Sequence, residues 1–284
     1  MRDYLELTKP RITWLILMST GIGYFFGRGG GALHWLALFN TILGTALIAS
    51  GTAALNQWYE RGADAKMRRT DQRPIPSGRV SPDRALVFGI ALSIAGFAEL
   101  AWGVNLLTGL LGLITLLSYL FLYTPLKQKS RHSTTVGAIP GAMPPLIGFA
   151  ASAGTLTVEA WVLYAILFLW QFPHFYSIAW MYRDDYARAG IRMLPVVEPD
   201  GESTARRILL FSLLLIPVSL LPSYFLMAGK LYLIGALAAG LSFLWVCSKV
   251  VRERTLVRAR GVLLASVIYL PVLFGLLLLD RPAL

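Results

Sequence analysis

Residues 35–59 read WLALFNTILGTALIASGTAALNQWY, twenty-five consecutive positions without a charged side chain. A helix needs about 20 mostly apolar residues to cross the hydrocarbon core of a bilayer. This stretch meets that requirement, which a helix in a soluble core of ordinary length does not need. Eight more segments of the same kind flank it, at approximately 11–28, 85–103, 106–124, 134–152, 158–182, 207–228, 231–250 and 262–279. The first is read as a span and not a cleavable signal, because it is long and has no small-residue cleavage motif. The segment at 134–152 is interrupted by Pro140, Pro144 and Pro145, which a helix tolerates in a membrane when neighbouring helices surround it. The fold class is therefore all-α and polytopic, with nine transmembrane helices.

Composition agrees. Of 284 residues, 56% are hydrophobic and only 14% charged, which excludes an ordinary soluble enzyme and a disordered chain. The single cysteine, Cys247, excludes an internal disulfide framework and a cysteine-based zinc site. The three histidines match no metal-binding spacing. A net charge of +11 raises the question of nucleic acid. With the N-terminus in the cytoplasm, however, all the lysines and arginines except Arg28, Lys230 and Arg281 fall on the cytoplasmic side. Charge sorted in this way reflects membrane topology and argues against nucleic-acid binding. Two inward connectors are long, about 60–84 and 183–206, and hold most of the acids. Long connectors in a compact protein tend to be functional.

The quoted span runs on into Glu60-Arg61-Gly62-Ala63-Asp64. Asn56, Glu60 and Asp64 are spaced i, i+4, i+8, so they share one helix face over roughly 12 Å. An amide and two carboxylates form a hard-oxygen surface of the kind that binds Mg²⁺ together with water and phosphate oxygens. A solvated polar helix end would show the same spacing. The connector then supplies Lys66, Arg68, Arg69 and Arg73. Guanidinium groups suit phosphate oxygens through their fork of donors. Acids for a metal beside arginines for phosphate suggest a diphosphate clamp, although positive-inside bias also places arginines here.

Asn56, Glu60, Asp64, Met67, Arg69, Thr70, Arg73, Pro74 and Gly78 fit the pattern N-x-x-x-E-x-x-x-D-x-x-M-x-R-T-x-x-R-P-x-x-x-G. This run resembles the heme O synthase (protoheme IX farnesyltransferase) family of UbiA-type intramembrane prenyltransferases. Relatives with aromatic acceptors generally carry Asp where this chain has Glu60. Further matches are Tyr123-Thr124-Pro125-Leu126-Lys127, Gly141 to Gly148, Trp170 to Phe175 with its Pro-His-Phe, Asp184-Asp185-Tyr186 with Gly190, and Met193-Leu194-Pro195-Val196-Val197. The resemblance spans about residues 4–200. It departs at the second acidic site, where many relatives have D-x-x-x-D. Here Arg188 and Ala189 stand four positions beyond Asp184 and Asp185.

The resemblance implies one intramembrane prenyltransferase domain over 1–284, with its helices around a central cavity that opens to the cytoplasm. It implies transfer of the farnesyl group of farnesyl diphosphate to a vinyl group of protoheme IX (heme B), with water addition, in a cell inner or plasma membrane. Mg²⁺ would be held by Asn56, Glu60, Asp64, Asp185 and secondarily Asp184, with the first four also catalytic. Arg68, Arg69, Arg73 and Lys127 would bind diphosphate, and Tyr123 would line the farnesyl channel. His174, about 12 Å into the membrane from its helix end, has two open readings: a heme contact, or a buried histidine satisfied by a neighbouring helix. The implied partners are farnesyl diphosphate, heme B, the lipid bilayer and heme-copper oxidase assembly proteins. Two other functions stand beside this one: prenyl transfer to a quinone-precursor or other aromatic acceptor, and secondary transport. A transporter would more often show broken helices and charges at the membrane midplane.

Overall fold

The computed structural model describes residues 1–282. Every regular element among them is helical. In chain order they are α1 (Arg2–Leu7), α2 (Pro10–Gly27), α3 (Trp35–Asp64), α4 (Pro82–Gly103) and α5 (Leu106–Leu117). A π-helical turn over Ser118–Tyr123 joins α5 to α6 (Thr124–Lys129). Then come α7 (Ser133–Gly141), α8 (Pro144–Ala153), α9 (Val158–Met181), α10 (Arg183–Arg188), α11 (Leu194–Val197), α12 (Glu202–Tyr224), α13 (Lys230–Arg252) and α14 (Leu256–Leu279).

Among the described residues, eight helical stretches are long and apolar enough to cross a membrane. They match eight of the nine segments expected from sequence. The ninth segment does form a helix, α2, but it has only 18 residues and carries Arg11, Thr13, Ser19, Thr20 and three glycines. Its apolar content falls short, and α2 is not among the eight. The interrupted segment splits as its prolines dictate, into α7 and α8 with a break at Ala142–Met143. α3 continues beyond its apolar run to Asp64, as the shared face of Asn56, Glu60 and Asp64 requires, so its last turns carry the polar face.

The packing is that of a protein surrounded by lipid. Trp14, Trp35, Phe39, Ile94, Ile234, Trp245 and Ile268 are exposed, whereas Thr20, Thr41, Ser219 and Ser266 are fully buried. Lipid gives apolar side chains no reason to hide, so helices associate through close backbone approach and buried hydroxyls. α2 meets α8 in this way. A β-carbon at Gly23 would overlap the Pro145 carbonyl, and one at Gly148 would overlap the Thr20 carbonyl oxygen. Gly148→Leu is accordingly expected to force α2 off α8 and destabilise the protein by about 3 kcal/mol or more, the range of severe overpacking. Thermal unfolding in detergent checks this; an unchanged melting temperature would show that the contact is dispensable.

Elsewhere the interior is conventionally apolar. A large cluster joins α8, α9, α12, α13 and α14, with Phe172 stacked on Phe211 at 3.7 Å. The π-helical turn precedes Pro125, whose missing N–H breaks the regular hydrogen-bond ladder. The Thr124 hydroxyl donates to the Tyr119 carbonyl at 2.8 Å, which the Thr124 N–H also bonds. The turn sets Tyr119, Tyr123 and Lys127 beside the polar end of α3.

Candidate functional site

The site begins where α3 ends. The Thr70 hydroxyl donates to the Asp64 carbonyl at 2.9 Å, satisfying one of the free carbonyls of the last turn. The connector then folds back on itself. Val80 N–H bonds the Pro74 carbonyl at 2.9 Å, and Gly78 takes φ +75°, a region that costs glycine nothing. Met67, buried at 3%, packs with Ala63, Ala179, Tyr186, Ile191 and Met193. This small apolar cluster pins the first connector to the second. Gly190, at φ +71°, turns the chain after α10, and Arg192 N–H then bonds the Lys127 carbonyl at 2.9 Å. Three stretches distant in sequence are thus fixed at one end of the helical bundle.

The polar face of α3 is enclosed by cations from other elements. The Lys127 ammonium donates to Glu60 Oε1 at 2.8 Å and lies 4.5 Å from the centre of the Tyr123 ring. Arg73 donates to Asp64 Oδ2 at 2.7 Å. Lys9 Nζ donates to Asn56 Oδ1 at 3.1 Å, and the Asn56 amide donates to the Thr124 hydroxyl at 3.3 Å. Burial, with the positive charge of Arg73 adding to it, pulls the Lys9 ammonium down to about 7. Asp64 is wholly buried, and its Oδ1 has no hydrogen-bond partner. A buried carboxylate oxygen without a partner is costly and calls for a cation.

A second group adjoins the first. Asp185 accepts from the Arg69 backbone N–H at 3.3 Å and pairs with Arg188. The Arg69 guanidinium reaches the Tyr186 hydroxyl at 3.3 Å and lies over the Tyr182 ring. Arg68, Arg69, Met181, Tyr182, Asp184, Asp185 and Arg188 line a cavity of about 420 Å³.

Eight helices apolar enough to span a bilayer thus carry paired acids and bases gathered at one end. The profile of the UbiA prenyltransferase family matches residues 16–276. The chain belongs to the UbiA prenyltransferase family. It is 68% identical to a protoheme IX farnesyltransferase of Solibacter usitatus (strain Ellin6076), covering 100% of both chains. It is 47% identical to a protoheme IX farnesyltransferase of Koribacter versatilis (strain Ellin345), over 99% of this chain and 94% of that protein. Its fold superposes on a solved structure of digeranylgeranylglyceryl phosphate synthase with a TM-score of 0.81 at 18% identity, covering 98% and 97% of the two chains. A UbiA homologue from Archaeoglobus fulgidus, solved with GPP and Mg²⁺, gives 0.68 at 17% identity, covering 97% and 99%.

In this UbiA chain the residues expected from sequence fall into three placements. Asn56, Glu60, Asp64, Arg73, Lys127 and Tyr123 are in one polar cluster. Arg68, Arg69, Asp184 and Asp185 line the adjoining cavity, with the Asp184 side chain 89% exposed at its rim. His174 belongs to neither. Its Nδ1 meets the Ser266 hydroxyl at 2.8 Å, and its ring stacks on Trp170 at 4.7 Å, on the face of α9 turned to α14. Ser266 already donates its proton to the Leu263 carbonyl at 2.7 Å.

Among the described residues, no three His, Cys, Asp or Glu side chains close around one metal position. Three of the four acids expected as metal ligands, Glu60, Asp64 and Asp185, are instead held by Lys127, Arg73 and Arg188, and Asp184 lies 3.8 Å from Arg183. The donor set still fits Mg²⁺: hard carboxylate and amide oxygens, one of them buried and unpartnered. Sequence reading missed Lys9, which it counted only as topological charge, and Arg188, which it noted only as a departure from an acidic pattern. The Lys9–Asn56 contact joins positions 47 apart, and no local spacing signals it.

Proposed function

We infer that this chain transfers the farnesyl group of farnesyl diphosphate to a vinyl group of protoheme IX, with water addition, giving heme O and diphosphate. The observation that carries the reading is the pairing of the α3 acids with Lys127 and Arg73 in one polar cluster. It occurs in a chain 68% identical over its whole length to a protoheme IX farnesyltransferase. A UbiA homologue solved with GPP and Mg²⁺ supports use of the same ion here.

Glu60, Asp64 and Asn56 would hold the ion on the α3 side, and Asp185 on the α10 side. Mg²⁺, when bound, supplies charge neutralisation to the departing diphosphate. Lys127 and Arg73, once released from their acids, and Arg69 would add positive charge to the same oxygens, where negative charge builds as the allylic C–O bond breaks. Tyr119 and Tyr123, edge to face at 5.0 Å, offer π faces that steady an allylic cation without attacking it. The vinyl carbon of protoheme attacks C1 of the farnesyl cation. Water then adds to the resulting heme-side cation and loses a proton, which leaves the hydroxyethylfarnesyl group. No side chain forms a covalent bond with either substrate.

The integral-membrane character follows from the eight apolar spans and the family. Four spans separate the two long connectors, so both, and with them the site, share one side of the membrane. The lysine and arginine distribution supports the cytoplasmic side of a plasma membrane, and α2, counted as a ninth span, brings the N-terminal arm to that same side. A single prenyltransferase domain over 1–284 and transfer of the product to heme-copper oxidase assembly proteins belong to this reading. For His174, the contact with Ser266 of α14 supports the reading of a buried histidine satisfied by a neighbouring helix over that of a heme contact.

The test is direct. Detergent-purified protein incubated with farnesyl diphosphate, Mg²⁺ and protoheme is expected to yield a hydroxyethylfarnesyl heme by mass spectrometry. Prenylation of an aromatic acceptor in place of protoheme would overturn the assignment of the acceptor and leave the diphosphate chemistry standing.

A further inference from the structure

We propose that Lys9 is a diphosphate-binding residue, held on Asn56 until substrate arrives. The inference rests on the prenyl-diphosphate reading above and adds a residue from outside both motif connectors.

Three cations surround the polar face of α3. Two of them, Lys127 and Arg73, are in ion pairs with Glu60 and Asp64. Lys9 has no carboxylate in ion-pair contact among the described residues; its ammonium rests on the neutral amide oxygen of Asn56, itself 1% exposed. Lys9 is half-buried, and an ammonium drawn out of water onto a neutral partner is poorly stabilised, so an arriving diphosphate would supply the negative charge that it lacks. A surface lysine serving only topology would extend its ammonium into water.

The backbone around Lys9 is set to present it. Lys9 has φ +49° and ψ +60°, one of two non-glycine residues with positive φ among those described. A left-handed lysine before a proline is disfavoured on two counts, by its β-carbon and by the Pro10 ring. Such strain persists only when surrounding contacts over-determine it. Those contacts exist. Gln57, one residue past Asn56, donates to the Leu7 carbonyl at 2.8 Å. Leu7 is fully buried against Ala54, Ile75 and Val80. Arg79 bonds Glu6 at 3.0 Å and also pairs with Asp3. The connector that carries Arg69 and Arg73 therefore also positions Lys9.

The energetic consequence separates Lys9 from its neighbours. For Lys127 or Arg73 to contact a diphosphate oxygen, each must loosen a carboxylate first. Lys9 gives up only a hydrogen bond to a neutral amide and gains a charged partner. It also frees Asn56 Oδ1 for the ion that accompanies the diphosphate.

Isothermal titration of the full-length protein with inorganic diphosphate in the presence of Mg²⁺ tests the proposal. Lys9→Gln keeps a donor toward Asn56 and removes the charge; Lys9→Arg keeps the charge. Lys9→Gln is expected to weaken diphosphate binding by about 10-fold or more, the scale of a lost charge-assisted hydrogen bond. It should raise KM for farnesyl diphosphate and leave KM for protoheme alone, with no fall in ligand-free melting temperature. Lys9→Arg is expected to bind within a few-fold of wild type. Unchanged diphosphate affinity in Lys9→Gln overturns the proposal. So does an equal loss toward both substrates with a lowered melting temperature, which would make Lys9 a strut for the N-terminal arm. Failure of the wild-type protein to bind Mg²⁺ and diphosphate at all would overturn the underlying reading together with this one.

Discussion

Glu60→Gln protein is expected to insert and fold, and to make heme O about 10²–10³ times more slowly than wild type. Glu60 lies on the last turns of α3, 7% exposed, with its carboxylate 2.8 Å from the Lys127 ammonium. Glutamine keeps the size and one acceptor oxygen but removes a unit of negative charge from the proposed ion site. On a solvated helix end the same change would alter stability by no more than about 0.5 kcal/mol and leave the rate alone. Here it also leaves Lys127 without its anion, and breaking a fully buried pair costs roughly 3–5 kcal/mol. The side chains of this pair retain 12% and 9% of their exposure, and Lys127 keeps the Tyr123 face, so the loss should lie below that range. Glu60→Gln combined with Lys127→Gln isolates the stability effect: the double variant should recover the melting temperature, and comparison with Lys127→Gln alone gives the part of the rate loss that belongs to Glu60. Near-normal heme O formation by well-expressed Glu60→Gln protein would remove Glu60 from the chemistry and weaken the reading of the whole first motif.

What was legible in the sequence follows from what the bilayer imposes. A span of about 20 apolar residues can be read without knowing its neighbours, because every backbone group is satisfied within the helix. The 3.6-residue period likewise places Asn56, Glu60 and Asp64 on one face as soon as α3 is known to continue to residue 64. The adjacent Asp184 and Asp185 were bound to diverge for the same reason; Asp185 is buried at 9% while Asp184 faces outward. The partners of these acids were not legible. Lys127 is 67 positions from Glu60, and Ser266 is 92 from His174. Such pairs depend on how helices pack, and in lipid that packing is set by glycines such as Gly23 and Gly148, whose partners no periodic pattern names. The π-helical turn at Ser118–Tyr123 belongs to the same class. Pro125 marks a defect in the helix but does not say that the defect will aim Tyr123 and Lys127 at α3. The α2 helix shows the reverse: its end points were readable, but Gly23 and Gly27 serve close packing against α8 at the expense of apolar content.

Mg²⁺ and diphosphate are expected to bind this protein together and neither of them well alone, and chelation of the metal should abolish farnesyl transfer. Mg²⁺ is bound in proteins through one or two carboxylates plus water and substrate phosphate oxygens. The ligand-free site offers it little more than Asp64 Oδ1, since no three acidic side chains close around one position among the described residues. Glu60, the second Asp64 oxygen and Asp185 are occupied by Lys127, Arg73 and Arg188. Diphosphate alone meets those cations only in competition with the acids they already hold. When ion and diphosphate enter as a unit, each cation can exchange a carboxylate for a phosphate oxygen while each freed carboxylate takes the metal. The charges are then matched on both sides, and no ionised group is left buried without a partner. Ligand binding to the native state adds about 2.7 kcal/mol of stability at one hundred times Kd. Thermal unfolding in detergent should therefore show a rise of several degrees with Mg²⁺ and inorganic diphosphate together, and little with either one. A shift with Mg²⁺ alone as large as that with the mixture would mean a preformed metal site. The ion pairs of Glu60, Asp64 and Asp185 would then have to open without the substrate's charge to replace them.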